Sequence, residues 1–207
     1  MSGQDESLHQ AVMSVLIYRD RVEPGSELAY RAIEEEAARM CVEFDCPHPH
    51  VAMESTSGPK EVWWLNTFAS EAERLLKLES YASNLPLMTA LENIAKRKEG
   101  VAGGTDALAT YRYDLSNGRK WSLSAARFVV GLITERPGLL DAAVFEMAGG
   151  QYVVLTPLRT REEAETIAAQ IPTARVFAIR PYWGMAAPEW IAADPEFWKV
   201  NPVASAK

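Results

Sequence analysis

Apolar positions along the chain alternate between two periods, and the changes of period mark out the elements. Residues 12–18 (VMSVLIY) form a β-rich apolar run followed by Glu23-Pro24-Gly25-Ser26, a turn leading into a helix cap. Tyr30, Ile33, Ala37, Met40, Cys41 and Phe44 then recur at helical spacing, with Glu34, Glu35, Glu36 and Arg39 on the opposite face. This helix should stop near Asp45-Cys46-Pro47, because proline disfavours helical geometry in the residue before it. His50–Ser55 and Glu61–Phe68 predict a hairpin across Thr56-Ser57-Gly58-Pro59. Ser70-Glu71-Ala72-Glu73 has the form of a capping box. The helix it opens is interrupted around Leu85-Pro86, resumes through Leu87, Met88, Leu91 and Ile94, and ends in Lys96-Arg97-Lys98 before Gly100. A strand over 108–114, after a Gly103-Gly104 linker, completes a βαββαβ order.

The second half repeats that order in shortened form. Residues 126–133 predict a strand followed by Glu135-Arg136-Pro137-Gly138, and 142–147 and 151–155 flank a Gly149-Gly150 turn. Thr160-Arg161-Glu162-Glu163 caps a helix carrying Ala164, Ile167, Ala168 and Ile171, and a strand over 175–180 closes the unit. Leu65 and Leu155, Phe68 and Leu158, Ser70 and Thr160, and Glu73 and Glu163 all lie 90 residues apart, whereas the two Pro-Gly pairs lie 113 apart. The difference of 23 residues is the size of one helix with its loop. This predicts a duplicated unit whose second copy has lost most of its first helix, a chance likeness of the halves being the rival explanation. The expected organisation is a flexible tail over 1–11, a first unit over 12–115, an abbreviated second unit over 116–184, and an extension over 185–207. Trp190, Ile191, Phe197 and Trp198 should pin that extension to the surface.

With segments such as VEPGSELAYRAIEEEA and EVWWLNTFASEAE in this order, the two halves resemble tandem ferredoxin-like modules of the dimeric α+β barrel superfamily. That superfamily includes antibiotic-biosynthesis monooxygenases, NIPSNAP-like proteins and stress-responsive barrel proteins. The resemblance implies an α+β fold in which the chain builds a barrel from its own halves, with helices outside. It also implies two chemistries, cofactor-independent oxidation of an aromatic substrate and haem-linked reactions. Haem-acting members resemble one another through an Asn on the first strand and a His after the third. Here the first strand carries Ser14, and no histidine follows His50, which argues against haem degradation; no cofactor is expected.

Strand alternation sorts side chains onto two faces. One set is apolar: Val15 and Ile17, Val51 and Met53, Trp63 and Leu65, and Leu108. The other is mixed: Ser14 and Tyr18, His48, His50 and Glu54, Trp64 and Asn66, with Tyr111 and Tyr113 on the last strand. If helices cover the apolar face, the mixed set lines the barrel interior and binds a small aromatic or amphipathic molecule. His50 and Asn66 are then the candidate catalytic residues, and Ser14, Tyr18, His48, Glu54, Trp64, Tyr111 and Tyr113 the candidate ligand-binding ones. His50 and Glu54 stand four apart on one strand, about 13 Å at roughly 3.3 Å per residue, so Asn66 or Tyr18 is the better partner for the imidazole. The competing reading makes the mixed face a self-satisfied interior or subunit interface, and the protein a non-enzymatic ligand-binding or homo-oligomeric scaffold.

Composition narrows the partners. Among 207 residues, 21 Lys+Arg against 28 Asp+Glu give a net charge of −7, which offers phosphate backbones no general attraction. Up to Leu115 there are 11 basic and 19 acidic residues, and after it 10 and 9, so the excess is N-terminal. No apolar run approaches the roughly 20 residues of a membrane-spanning helix, and MSGQDESLHQ is too polar for a secretory signal. A cytoplasmic protein without nucleic-acid or membrane partners, and able to form a homodimer, is the expectation. Cys41, Cys46, His48 and His50 have zinc-ligand chemistry but lack zinc-site spacing, and two cysteines make no disulfide framework. No nucleophile elbow, zinc-protease motif or phosphate-binding loop is present, and Arg127, Glu146 and Arg180 read as rim or interface charges.

Overall fold

The computed structural model describes residues 14–117, 121–138 and 141–198; the predicted N-terminal tail lies outside them. The first half contains β1 (Ser14–Val22), α1 (Glu27–Glu43), β2 (His50–Ser55), β3 (Glu61–Phe68), α2 (Glu71–Ser83), α3 (Leu85–Lys98) and β4 (Ala102–Tyr111). The second contains β5 (Phe128–Thr134), β6 (Ala143–Met147), β7 (Tyr152–Leu158), α4 (Arg161–Ala168) and β8 (Arg175–Met185), followed by α5 (Pro188–Ala193). The eight strands close into one antiparallel barrel in the order β1-β3-β2-β8-β5-β7-β6-β4. Each half thus contributes the same internal order, β4-β1-β3-β2 and β8-β5-β7-β6, and the seams are β2–β8 and β4–β6. Among the described residues, the second half has no helix between its first two strands.

Local chemistry sets the boundaries. Ser70 accepts from the Glu73 amide and Thr160 forms a reciprocal capping box with Glu163, so both helices start at the predicted caps. Ser26 precedes α1 without making a side-chain cap. Asn84 divides α2 from α3 by accepting from the Leu87 amide while its own side-chain amide donates to the Phe44 carbonyl. β4 begins at Ala102, so Gly103-Gly104 is part of the strand and not a linker.

The barrel interior is apolar and filled. Val15, Ile17, Val51, Met53, Trp63 and Leu65 join Phe145, Leu155 and Phe177 in one buried cluster, so the apolar set faces inward. This corrects the expected orientation: a closed eight-stranded barrel holds little besides side chains and admits no water to solvate polar ones. Leu108 is the exception, standing 41% exposed on the outside. The mixed set, apart from Tyr111, lies on the outer face or beyond the strand ends. Trp63 and Phe177 stack at 4.7 Å, and a Cβ on Gly131 would meet them at 3.3 and 3.2 Å. Glycine here makes room for two aromatic rings.

Beyond β8 the chain returns across one end of the barrel. Ala187, Trp190 and Trp198 belong to the interior cluster, and the Trp198 indole N–H donates to the Ser124 carbonyl at 3.0 Å. Arg127 pairs with Asp194 and covers the Phe197 ring at 3.7 Å. Glu146 pairs with Arg112, and Arg180 with Glu54, so the strand charges are neutralised within the chain.

Replacing Gly131 by Val should overpack the interior at Trp63 and Phe177 and cost about 1–3 kcal/mol of unfolding free energy. Urea denaturation measures this, and an unchanged midpoint would contradict the interior packing.

Candidate functional site

The outer face of β1, β3 and β2 meets α1, α2 and α3 across a cavity of about 430 Å³. Its floor is set by strand register: Leu16 lies opposite Asn66, and Tyr18 opposite Trp64, on β1 and β3. Helix α1 presents Glu34, Ala38 and Cys41; α2 presents Lys77, Leu78 and Tyr81; and α3 presents Leu91, Ile94 and Lys98. No residue of α2 is buried, and Leu75, Leu76 and Leu78 are all exposed, so this helix is the thin side of the roof.

Of the predicted site residues, the cavity gathers His48, His50, Trp64, Asn66 and Tyr18. The others are elsewhere. Ser14 is buried without a hydrogen-bond partner for its hydroxyl. Glu54 binds Lys60 and Arg180, which outweigh the effect of burial and hold its carboxyl below the usual range. Tyr111 turns into the barrel against Phe145, and Tyr113 lies past the end of β4, 55% exposed. The phase of that strand therefore separates the two tyrosines from the site.

His50 owes its position to an irregularity in the β2–β8 seam. Between His50 and Ala52 the pairing jumps from Met185 to Arg180, and a Cβ on Gly184 would lie 2.4 Å from the His50 carbonyl oxygen. Only glycine permits that approach. The His50 Nδ1–H donates to the His48 carbonyl at 3.2 Å, which leaves Nε2 as the acceptor nitrogen of a neutral ring. Its partner is thus the adjacent backbone, not Glu54, Asn66 or Tyr18. Burial pushes the His50 pKa down to about 4. His48 stacks on Phe68 at 4.6 Å; burial lowers its pKa too, and its Nδ1 is buried without a partner.

A second polar group closes the far end. Tyr30 donates to Asp20 at 2.7 Å, Lys98 donates to the same oxygen at 2.8 Å, and the Lys98 ammonium lies 2.5 Å from Glu34 Oε1. That last contact is an ion pair whose geometry falls short of an aligned hydrogen bond. Burial raises the Glu34 pKa; for Lys98 the two carboxylates outweigh burial and raise it. The Trp64 indole reaches the Tyr30 hydroxyl at 3.5 Å. Sequence reasoning put Glu34 on a solvated face, although it stands four residues from both Tyr30 and Ala38 and so shares their buried side.

Cys41 and Cys46 form a disulfide across the turn that ends α1, in the cavity wall. No group of three or more metal-ligating side chains occurs among the described residues. Nor does any helix among them have the length and apolarity to cross a membrane.

No protein-family model and no curated protein matches the sequence. Solved structures do. A proposed monooxygenase from Fusobacterium nucleatum superposes with a TM-score of 0.53 at 9% identity, covering 82% of this chain and 93% of its own. The shared feature is the α+β barrel fold. A proposed monooxygenase from Lactobacillus acidophilus (TM-score 0.46, 8% identity, 81% and 94% coverage) and a proposed chlorite dismutase (0.48, 13%, 88% and 98%) are also similar.

The neutral, buried imidazole of His50 makes stability depend on pH. Its unfolded pKa is about 6.5 and its folded value about 4, so the unfolded chain binds the extra proton between them. Stability is therefore full above about pH 6.5 and declines as the pH falls toward 4, with His48 acting in the same direction. At pH 5 the loss relative to pH 7.5 should reach about 2 kcal/mol from His50. Urea titrations of the protein and of His50→Phe at both pH values measure it; equal pH dependence in the two would refute the assignment.

Proposed function

We propose that this protein binds a small amphipathic or aromatic molecule between its first three helices and the outer face of the sheet. The observation that carries this reading is the cavity of about 430 Å³, which is within the range of small-molecule sites. Its apolar walls converge on a few polar groups, and Trp64 and Trp183 offer flat surfaces to a ring. With the barrel interior filled by side chains, the residues that would meet the ligand are those facing the cavity from the outer side of the strands: Tyr18, His48, His50, Trp64 and Asn66.

His50 favours a second reading, cofactor-independent oxygenation. A neutral ring with its Nδ1–H committed to a carbonyl can accept a phenolic proton at Nε2, and Asn66 supplies a nearby amide for the resulting oxyanion. The Fusobacterium nucleatum protein of this fold is itself a proposed monooxygenase. A chain that completes its barrel alone also leaves homodimerisation as a separate property, through the exposed strand β4 or the exposed leucines of α2.

N-phenyl-1-naphthylamine, a neutral fluorescent probe, should bind one per chain with micromolar affinity. Ala95→Trp, an exposed substitution on α3 at the cavity edge, should weaken binding tenfold or more without lowering the melting temperature. Absence of binding, or equal binding by the variant, would remove the cavity from consideration. Oxygen uptake with quinol substrates, lost in His50→Phe, tests the second reading.

A further inference from the structure

The cavity is electrically lopsided. At one end Asp20 and Glu34 face the single ammonium of Lys98, so the group carries an excess negative charge. The other end holds Lys77, which donates to the Pro47 carbonyl at 2.8 Å and has no carboxylate within salt-bridge distance among the described residues. Beside it is His48, 96% buried on its 4% exposure, with Nδ1 unpartnered. Asn66, one register step from Phe68 on the same face of β3, adds an amide with no side-chain partner among the described residues. The ends are far apart: Asp20 lies opposite Val62 in the β1–β3 register, six residues along β3 from Phe68, about 20 Å at 3.3 Å each. Between them the walls are Leu16, Trp64, Leu91 and Ile94.

We infer that the cavity selects an amphipathic monocarboxylate, its head group on Lys77, His48 and Asn66 and its apolar body extending over Trp64. The inference rests on the small-molecule reading above and adds the charge and direction of the ligand. At one end of an apolar slot stand an ammonium that pairs with no carboxylate among the described residues, an amide without a side-chain partner and a buried imidazole nitrogen, His48 Nδ1, without one. A carboxylate can accept from the ammonium and from the Asn66 amide, and from His48 in the tautomer that carries its proton on Nδ1, the ring nitrogen that has no partner. The groups facing His48 are Lys77 and Glu73 on α2 and His50 on β2, with the Thr67 and Pro49 backbone against the ring. Glu73, the one acid among them, is committed to the Ala69 amide at 2.7 Å as part of the α2 cap. A cationic head would be repelled by Lys77 at this end, and at the other the two carboxylates are already engaged by Lys98 and Tyr30. An uncharged head would leave the Lys77 charge uncompensated beside the apolar wall.

Competition against N-phenyl-1-naphthylamine separates the possibilities, using decanoate, decanol and decylammonium, which share a chain and differ in the head. Decanoate should displace the probe at a concentration at least tenfold below that of either other ligand, about 1.4 kcal/mol of preference. In Lys77→Met the ratio of decanoate to decanol affinity should fall to within twofold, because the change removes the charge and keeps the stem. Equal or stronger displacement by decanol or decylammonium overturns the inference while leaving the cavity intact. An unaltered ratio in Lys77→Met does the same. If the probe itself fails to bind, both the small-molecule reading and its deepening fall. Replacing decanoate with naphthalene-2-carboxylate distinguishes an alkyl from an aryl body under the same head group.

Discussion

Side chains fill the space that this closed eight-stranded barrel encloses, and that constraint governs the whole molecule. Every inward position must be apolar or reach a partner at the rim, so the most hydrophobic alternate residues of all eight strands converge there. Trp63, Phe177 and the missing side chain of Gly131 show how tightly that volume is shared. Charged inward positions occur only at the barrel ends, where Arg19 and Arg175 both pair with Glu61. Polar chemistry is thereby displaced to the outer face.

Helices cover that outer face less completely than the interior is filled. Rigid cylinders resting on a twisted, curved sheet leave gaps, and the gap under α1, α2 and α3 is the cavity. Its polar groups are shaped by partial desolvation. The histidines are held neutral, while the buried acids survive by sharing Lys98. Beside these imidazoles the Lys77 ammonium donates to the Pro47 carbonyl and pairs with no carboxylate among the described residues.

The periodic elements were legible because alternation and helical spacing are local properties. The hairpin strands His50–Ser55 and Glu61–Phe68 begin and end where their apolar runs do. Which residues share a face was equally readable for β1, β2 and β3. The direction of that face was not, since alternation says only that two faces differ, and closure of the sheet decides which is drier. Tyr111 and Tyr113 went astray for another reason: β4 starts at Ala102 with an exposed Gly-Gly segment whose weak pattern hides the strand. The disulfide depends on the turn at Asp45, whose φ of 52° brings Cys46 back to the end of α1, and spacing alone does not encode that turn. Asp20, Glu34 and Lys98 come from three elements and meet only through tertiary packing.

The asymmetry between halves then explains where the cavity lies. Both halves contribute the same strand order to the barrel, so the sheet by itself offers two equivalent outer faces. On the second half the face carries α4, a helix of only eight residues, and Ala164 packs directly on Val130 and Val176. A short helix set close to the sheet encloses little. The first half keeps the long α1 of 17 residues and adds a broken pair, α2 and α3, so three helices must share one face. Side chains as large as Tyr30, Trp64 and Trp183 hold α1 off the strands at one end, and the bend at Asn84 turns α2 away from α3 at the other. The short α4 on one half and the three-helix roof on the other are thus two sides of one division of labour: one half lies close against the barrel, and the other leaves a chamber on its outside.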